Sequence, residues 1–246
     1  MLSAWAGALV PVFSDTSVSG TGNLPRTPGG GYVLAANHTS FFDPVLLVGT
    51  LHRLGLRPAV LATAGLWRVP LLGRVLTREG HVPVHRGSRR APDALRHAAD
   101  ALAAGRGVLV YPEGRLPRYH AAHDRPPGRL KSGVVRLALS TGAPVFPVGH
   151  AGARRVSSGG HAKQLAGWAT APARRPRVHV HIGPALRLDA SGRPLRDLET
   201  ALTAAWSSAV RALDPADAGH DTGDAPEDTP DPEDGFGEGG ASGPGR

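Results

Sequence analysis

Short apolar runs recur along the chain and predict strands. Most are rich in Val, Leu and Ala and are bounded by Gly, Pro or charged residues, as buried strands are. They lie at 32–36, 58–62, 82–86, 108–111, 145–148 and 178–182. Apolar positions three and four residues apart predict helices at 45–51, from Pro92 to a stop at Gly105, at 134–140 and at 195–213. This alternation of strand and helix predicts a layered α/β domain without internal repeats.

Three stretches do not follow these patterns. Residues 14–31 are rich in Ser, Thr, Gly and Pro, and residues 151–177 are basic without regular apolar spacing, so both are predicted to be loops. The stretch 66–76 is apolar with arginines set through it. It is either a core-facing helical piece or a patch whose Arg68, Arg74 and Arg78 meet lipid phosphates.

The N-terminal segment 1–13 is apolar but shorter than the roughly 20 residues of a membrane span. It also lacks the positively charged start of a signal peptide. We expect it either to pack on the core or to enter a membrane interface with Trp5 as an anchor. No apolar run elsewhere in the sequence reaches a spanning length.

Charge divides the chain unevenly. From Asp214 onward it consists mainly of Asp, Glu, Gly and Pro, which predicts a disordered acidic tail. Residues 1–213 carry 27 Lys and Arg against 10 Asp and Glu, a net charge of +17. The predicted organisation is an N-terminal interfacial segment and loop (1–31), one domain long enough to bury a full core (32–213), and the tail (214–246).

A body this basic is expected to meet an anionic partner, such as phosphorylated substrates, an anionic lipid surface or nucleic acid. Nucleic acid is the least favoured of these, because only 5% of the residues are aromatic and the sequence shows no known nucleic-acid-binding motif. The absence of cysteine excludes disulfides, thiol nucleophiles and thiolate metal sites. His179 and His181 alternate with Val and Ile, as on a strand with one wet face, so no metal site is predicted there.

The main candidate for chemistry is the stretch from Asn37 to Pro44. His38 follows a predicted strand, and Asp43 stands at a predicted helix start five positions later. An imidazole can take a proton from a hydroxyl near neutral pH, and a carboxylate on its other nitrogen holds the required tautomer. The pair is therefore a candidate general base and its orienting partner. Asp before Pro is also a favoured helix N-cap arrangement, which leaves a purely structural explanation of Asp43 open.

Further motifs follow this stretch in order. They are Pro70-Leu71-Leu72-Gly73 leading to Val82-Pro83-Val84-His85-Arg86, then Tyr111-Pro112-Glu113-Gly114, then Lys131-Ser132-Gly133, then Val145-Phe146-Pro147-Val148. Together with Asn37-His38-x4-Asp43, this series resembles the 1-acylglycerol-3-phosphate acyltransferase family of glycerolipid acyltransferases. The resemblance extends from about residue 32 to residue 152.

The resemblance implies a mixed central sheet flanked by helices. It also implies transfer of a fatty acyl group from acyl-CoA or acyl carrier protein to the free hydroxyl of lysophosphatidic acid, at the cytoplasmic face of the cell membrane. His38 would be the base and Asp43 its partner. The residues that would bind substrate are Arg86, Glu113, Gly114, Arg115 and Lys131. No metal or redox cofactor and no nucleic acid partner are expected.

Two features depart from the family pattern. Thr63 and Gly65 stand where members often carry a lysine and an acidic residue, and Arg115 directly follows Glu113-Gly114. The acceptor therefore remains open among lysophosphatidic acid, an ornithine lipid precursor and other polar lysolipids. A noncatalytic protein that binds anionic membranes is the remaining alternative.

Overall fold

A computed structural model describes residues 2–24, 30–85, 87, 91–116, 124–159 and 161–213. Two sequence predictions lie outside these residues: the role of Arg86 and the disordered tail at 214–246.

A seven-stranded sheet forms the centre of the described structure. Its strands are β1 (Asp15–Ser19), β2 (Tyr32–Ala36), β3 (Ala59–Thr63), β4 (Val82–Val84), β5 (Gly107–Val110), β6 (Val145–Ala151) and β7 (Arg177–Ile182). The spatial order is β1-β7-β6-β2-β5-β3-β4. Neighbouring strands run parallel except β6 and β7, which are antiparallel. The predicted mixed sheet is thus confirmed.

Helices flank the sheet on both faces. They are α1 (Leu2–Phe13), α2 (Asp43–Arg53), α3 (Pro70–Arg78), α4 (Ala91–Ala103), α5 (Gly133–Thr141), α6 (Ala153–Val156), α7 (His161–Arg174) and α8 (Pro194–Leu213). Short 3₁₀ turns at Thr21–Asn23 and Ala64–Arg68 complete the described elements. The stretch 66–76 is accordingly helical for most of its length.

The central strand β2 is buried on both faces, which explains its unbroken apolar sequence. Leu34 and Ala36 face the core formed with α1, α2, α6 and α7. Val33 and Ala35 face the core formed with α4, α5 and α8. Because side chains alternate between the faces of a strand, β2 ties both helical layers together.

One face of α1 packs closely on α2. A Cβ added at Gly49 of α2 would lie 2.5 Å from the carbonyl oxygen of Ala6, so only glycine allows this approach. The other face of α1 leaves Trp5, Leu9 and Val12 exposed. Packing on the core, one of the two expectations for this segment, is therefore observed for one face. Among the described helices, none has both the length and the apolar character needed to cross a bilayer.

Both loop predictions were wrong in part. Within 14–31, Asp15–Ser19 forms β1, which pairs with β7 at one edge of the described sheet. Its sequence is polar because an edge strand buries little, and Ser17 binds the His179 ring at 2.7 Å. Within 151–177, α6 and α7 are helical. The described side chains of α7 include one buried residue, Ala171, so the helix shows no apolar stripe in sequence.

Candidate active site

The segment from Asn37 to Phe42 joins β2 to α2 at the carboxyl end of the central strand. β2 runs parallel to both of its neighbours, β5 and β6. The carboxyl ends of the three strands therefore lie at one edge of the sheet, where open α/β folds place their ligands. Residues that follow β5 and residues near the end of β6 converge there on the β2–α2 segment.

His38 and Asp43 form the pair predicted from their spacing. His38 Nδ1 lies 3.0 Å from Asp43 Oδ2. The Asp43 side chain is fully buried, whereas that of His38 is 14% exposed. A carboxylate accepts the proton of Nδ1, so the neutral ring has its lone pair on Nε2. His38 is thus held in the tautomer that a general base requires.

The carboxylate of Asp43 points back toward the preceding segment. Its Oδ2 accepts hydrogen bonds from the backbone N–H of Thr39 at 2.6 Å and of Ser40 at 2.9 Å. The helix α2 begins with Phe42 as its N-cap and without a side-chain cap. The helix-cap explanation of Asp43 is therefore wrong, because the carboxylate orders the segment that carries His38.

The pKa of Asp43 reflects two opposing effects. Burial raises the pKa of Asp43, but His150 and His38 beside it and the N–H of Ser40 outweigh burial and hold it below the ordinary value. The ionised carboxylate is therefore the stable form at neutral pH. An ionised partner is what an imidazolium formed at His38 would need.

Two residues after β5 contact His38. The ring of Tyr111 stacks on the imidazole with centroids 4.4 Å apart. Glu113 Oε1 accepts the backbone N–H of His38 at 2.8 Å, and its Oε2 accepts that of Gly128 at 3.0 Å. Burial raises the pKa of Glu113, although these two hydrogen bonds oppose the rise. Glu113, predicted to contact the acceptor, thus joins the segment that carries His38 to residues 124–130.

Gly114, Arg115 and Lys131 lie next to Glu113. Gly114 has φ of +74°, a conformation that favours glycine. The backbone N–H of Lys131 donates to Pro112 O at 2.8 Å, which brings Lys131 beside this turn. Arg115 and Lys131 are both exposed. The structure therefore places two of the predicted cations at the edge of the sheet that carries His38.

Sequence reasoning missed two buried residues behind this segment. His150, near the end of β6, exchanges three hydrogen bonds with Asn37. Arg154 of α6 donates to the carbonyl oxygen of Thr39 at 2.6 Å. The one available signal was position, since both residues lie at or just beyond the carboxyl end of a predicted strand.

His179 and His181, for which no metal site was predicted, contact serine side chains of β1. Ser19 Oγ lies 2.8 Å from His179 Nε2 and 2.8 Å from His181 Nδ1, which forms a polar ladder between β1 and β7. Across the described residues, no group of three or more histidine and acidic side chains is placed to hold a metal ion.

Two cavities lie at the opposite end of the sheet from His38, where the parallel strands begin. The first, of about 280 Å³, is lined by residues that include Pro58 and Arg106, which precede β3 and β5. The second, of about 460 Å³, is lined by residues that include Gly31 and Pro144, which precede β2 and β6. Both are formed at the amino ends of parallel strands, and neither contributes to the His38 site.

The acyltransferase family model matches residues 15–151, which is more than half of the chain. The fold and the His38–Asp43 site agree with this match, and the chain belongs to the acyltransferase family. The resemblance inferred from the ordered motifs is thus confirmed.

Two relatives are plant enzymes. One is the chloroplastic 1-acyl-sn-glycerol-3-phosphate acyltransferase BAT2 of Brassica napus, 31% identical over 147 residues that cover 58% of this chain and 39% of the relative. The other is the chloroplastic 1-acyl-sn-glycerol-3-phosphate acyltransferase LPAT1 of Arabidopsis thaliana, 30% identical over 147 residues that cover 58% and 38%. The chain therefore spans about two fifths of the length of these relatives.

A solved structure shares the fold. It is the 1-acyl-sn-glycerophosphate acyltransferase PlsC of Thermotoga maritima, with a TM-score of 0.64 and 22% identity. The superposition covers 86% of this chain and 78% of that one.

Proposed function

We propose that this protein transfers a fatty acyl group from a thioester, acyl-CoA or acyl carrier protein, to the free hydroxyl of lysophosphatidic acid. The observation that carries the proposal is the His38 Nδ1 to Asp43 Oδ2 contact of 3.0 Å, which leaves Nε2 of a partly exposed ring as the acceptor. The names of the plant relatives support 1-acyl-sn-glycerol-3-phosphate as the acceptor.

In the proposed reaction, His38 Nε2 takes the proton of the acceptor hydroxyl as its oxygen attacks the thioester carbonyl. The imidazolium is stabilised by the ionised Asp43. When the tetrahedral intermediate collapses, the carbon–sulfur bond breaks and an ester forms. The leaving thiolate takes the proton from His38, so the products are the diacyl lipid and a free thiol. We propose that no metal or redox cofactor takes part.

The acceptor phosphate is proposed to bind at the cations beside the Glu113 turn. Arg115 and Lys131 are exposed there, and Arg86 is proposed as a further contact from the sequence motif. A guanidinium offers a planar set of donors that matches phosphate oxygens, and an ammonium supplies a compact charge. Glu113 and Gly114 are proposed to shape this turn, through backbone hydrogen bonds in one case and a left-handed conformation in the other.

We further propose that the protein acts at the periphery of an anionic membrane, on the cytoplasmic face of the cell membrane. Trp5, Leu9 and Val12 form the exposed face of α1, opposite the face that packs on α2. This arrangement is typical of helices that lie in a membrane interface. The net charge of +17 over residues 1–213 favours anionic lipid.

The experiment is acyl transfer from a radiolabelled acyl thioester, with the full chain and a panel of acceptors. Lysophosphatidic acid is expected to be the best acceptor, with other lysophospholipids and an ornithine lipid precursor as competitors. His38→Ala is expected to lower kcat by about 10³-fold, because it removes the proposed base. His97→Ala, at an exposed histidine of α4, is the matched control.

Two outcomes would contradict the proposal. An active His38→Ala variant would remove the assigned base. Flotation of the wild-type protein with anionic liposomes, without transfer to any acceptor of the panel, would instead support a noncatalytic membrane-binding protein.

A further inference from the structure

The catalytic carboxylate lies between two imidazoles. Asp43 Oδ2 is 3.0 Å from His38 Nδ1 on one side and 3.6 Å from His150 Nε2 on the other. His150 and Asp43 are both completely buried. A polar ring in this position is shielded from water, so its interaction with the carboxylate is stronger than it would be at the surface.

The hydrogen bonds of His150 define its tautomer. Nε2 lies 2.9 Å from the carbonyl oxygen of Asn37. Because a carbonyl oxygen only accepts, Nε2 must carry the proton. His150 Nδ1 is buried and has no hydrogen-bond partner among the described residues, and a ring with its proton on Nε2 has no donor there to satisfy. The Nε2–H group therefore donates to Asn37 O, and the same nitrogen lies 3.6 Å from Asp43 Oδ2.

His150 also holds the residue that precedes His38. The Asn37 side chain donates to His150 O at 3.0 Å and accepts the backbone N–H of His150 at 2.8 Å. With the ring contact, both the side chain and the peptide of Asn37 are fixed to β6. The direction in which the chain enters His38 is therefore determined by His150.

We propose that His150 is a positioning residue for acyl transfer: it holds the Asn37 peptide, keeps its Nε2 3.6 Å from the Asp43 carboxylate, and so places the His38 ring for proton transfer. This inference rests on the proposed role of His38 as the base. It gives His150, near the end of β6, a part in the reaction that the motif at positions 38–43 does not indicate.

Other titratable groups also face the pair. Tyr111 and Glu113 follow β5, Arg154 lies in α6, and Asp124 accepts the Gly152 N–H at 2.6 Å. The rings of His38 and His150 lie 3.0 Å and 3.6 Å from the Asp43 carboxylate. Removal of the His150 ring takes away the donor to the Asn37 peptide, and with it the contact that fixes how the chain enters His38.

The test compares His150→Asn with His150→Gln in the full chain. A glutamine amide nitrogen reaches about the position of imidazole Nε2 and can donate to Asn37 O, whereas an asparagine amide stops near Nδ1 and cannot. The two variants differ by one methylene and have the same charge. His97→Asn, in α4, is the control for loss of an exposed histidine.

The first readout is the set of ring signals of His38 in NMR of ¹⁵N-histidine-labelled protein, which needs no substrate. His150→Asn is expected to shift these signals, because the Asn37 peptide that positions the His38 ring loses its donor. His150→Gln and His97→Asn are expected to leave them at their wild-type positions. Identical His38 signals in His150→Asn and wild type would overturn the inference.

The second readout is acyl transfer. His150→Asn is expected to lower kcat by about 10- to 100-fold with little change in KM, because the base is misplaced while the acceptor still binds. His150→Gln should restore most of the rate. If wild type transfers no acyl group, the proposed function fails, but the ¹⁵N signals of His38 still decide whether His150 positions it.

The tautomer supplies a test that needs no variant. If His150→Asn does not fold, ¹⁵N shifts of the wild-type protein still report which nitrogen of His150 carries the proton. A neutral ring protonated on Nε2 supports the inference, and protonation on Nδ1 overturns it.

Discussion

The ring of Tyr111 lies over the imidazole of His38 at an interplanar angle of 29°, with 4.4 Å between centroids. The phenol hydroxyl is buried and has no hydrogen-bond partner in the part of the chain that the structure describes. The ring therefore supports the His38 imidazole through packing, while its oxygen contributes a desolvation cost. Substitutions of Tyr111 can therefore test the packing of the ring and the desolvation of the hydroxyl separately.

Tyr111→Phe should stabilise the protein, because it removes a buried hydroxyl without a partner. We expect the free energy of unfolding in urea to rise by about 1 kcal/mol. Tyr111→Ala should lower it by about 2 kcal/mol, since a partly buried ring is lost, and should also lower kcat by about 10-fold as His38 loses its support. A less stable Tyr111→Phe would mean that the hydroxyl has a partner in solution.

Asp43→Asn should lower kcat/KM by about 10³-fold, because an amide neither fixes the His38 tautomer nor stabilises the imidazolium. Steady-state acyl transfer at neutral pH measures this loss. Asp93→Asn, at a carboxylate that pairs with Arg96 on the exposed face of α4, should retain the wild-type rate.

The same variant has a defined effect on the pH dependence of stability. The pKa of Asp43 is held below its ordinary value of about 3.8. Its ionised form therefore stabilises the fold above about pH 4, and this contribution is lost as pH falls through the lower folded-state value. The stability difference between wild type and Asp43→Asn should be largest near pH 7 and should shrink toward pH 3. A constant difference in urea unfolding across that range would contradict the assignment.

Glu113→Ala should release residues 124–130 and loosen the backbone at His38, because the N–H groups of His38 and Gly128 both lose their acceptor. We expect faster tryptic cleavage after Arg129, which precedes Leu130, and a fall in kcat of about 10-fold. Glu199→Ala removes a weaker carboxylate contact, 3.4 Å from the N–H of Leu130. It serves as the matched control, and equal cleavage rates in the two variants would argue against the bridging role of Glu113.

Gly114→Ala and Gly142→Ala should separate backbone strain from an effect on the site. Both glycines have positive φ, +74° and +66°. Each substitution should therefore destabilise the fold by about 1 kcal/mol. Gly142 ends α5 away from His38, so only Gly114→Ala should raise KM for the acceptor. Equal KM values in the two variants would remove Gly114 from the acceptor site.

Trp5→Ser should weaken binding to vesicles of mixed zwitterionic and anionic lipid by about 10-fold, because it removes the largest apolar side chain of the exposed α1 face. Leu165→Ser is the matched control: Leu165 of α7 is 73% exposed, against 69% for Trp5. Co-sedimentation measures both. Equal losses in the two variants would show that α1 is not the membrane-facing element.

The parts of the fold that could be predicted are those with a strong apolar pattern. β2 is buried on both faces and α8 has one continuous apolar stripe, so both are visible in sequence. β1 could not be predicted because its polar residues lie at the sheet edge, where few apolar contacts are made. α7 could not be predicted either, because Trp168 and Ala171 are too few to define a period.

The residues of the site also differ in whether the sequence could predict their contacts. His38 and Asp43 are five residues apart within one segment, so local spacing was enough to pair them. The contacts of Tyr111 and His150 depend on the order of β6, β2 and β5 in the sheet. That order is set by tertiary packing, and one sequence carries no direct signal of it.

The separation of 113 residues between Asn37 and His150 also bears on synthesis of the chain. A nascent chain that has emerged only as far as α5 already carries His38 and Asp43, the proposed catalytic pair. It lacks β6, and with it the three hydrogen bonds that hold Asn37. We therefore expect catalytic competence to arise late in translation, when β6 pairs with β2, and a truncated polypeptide ending before Val145 to be inert although it carries His38 and Asp43.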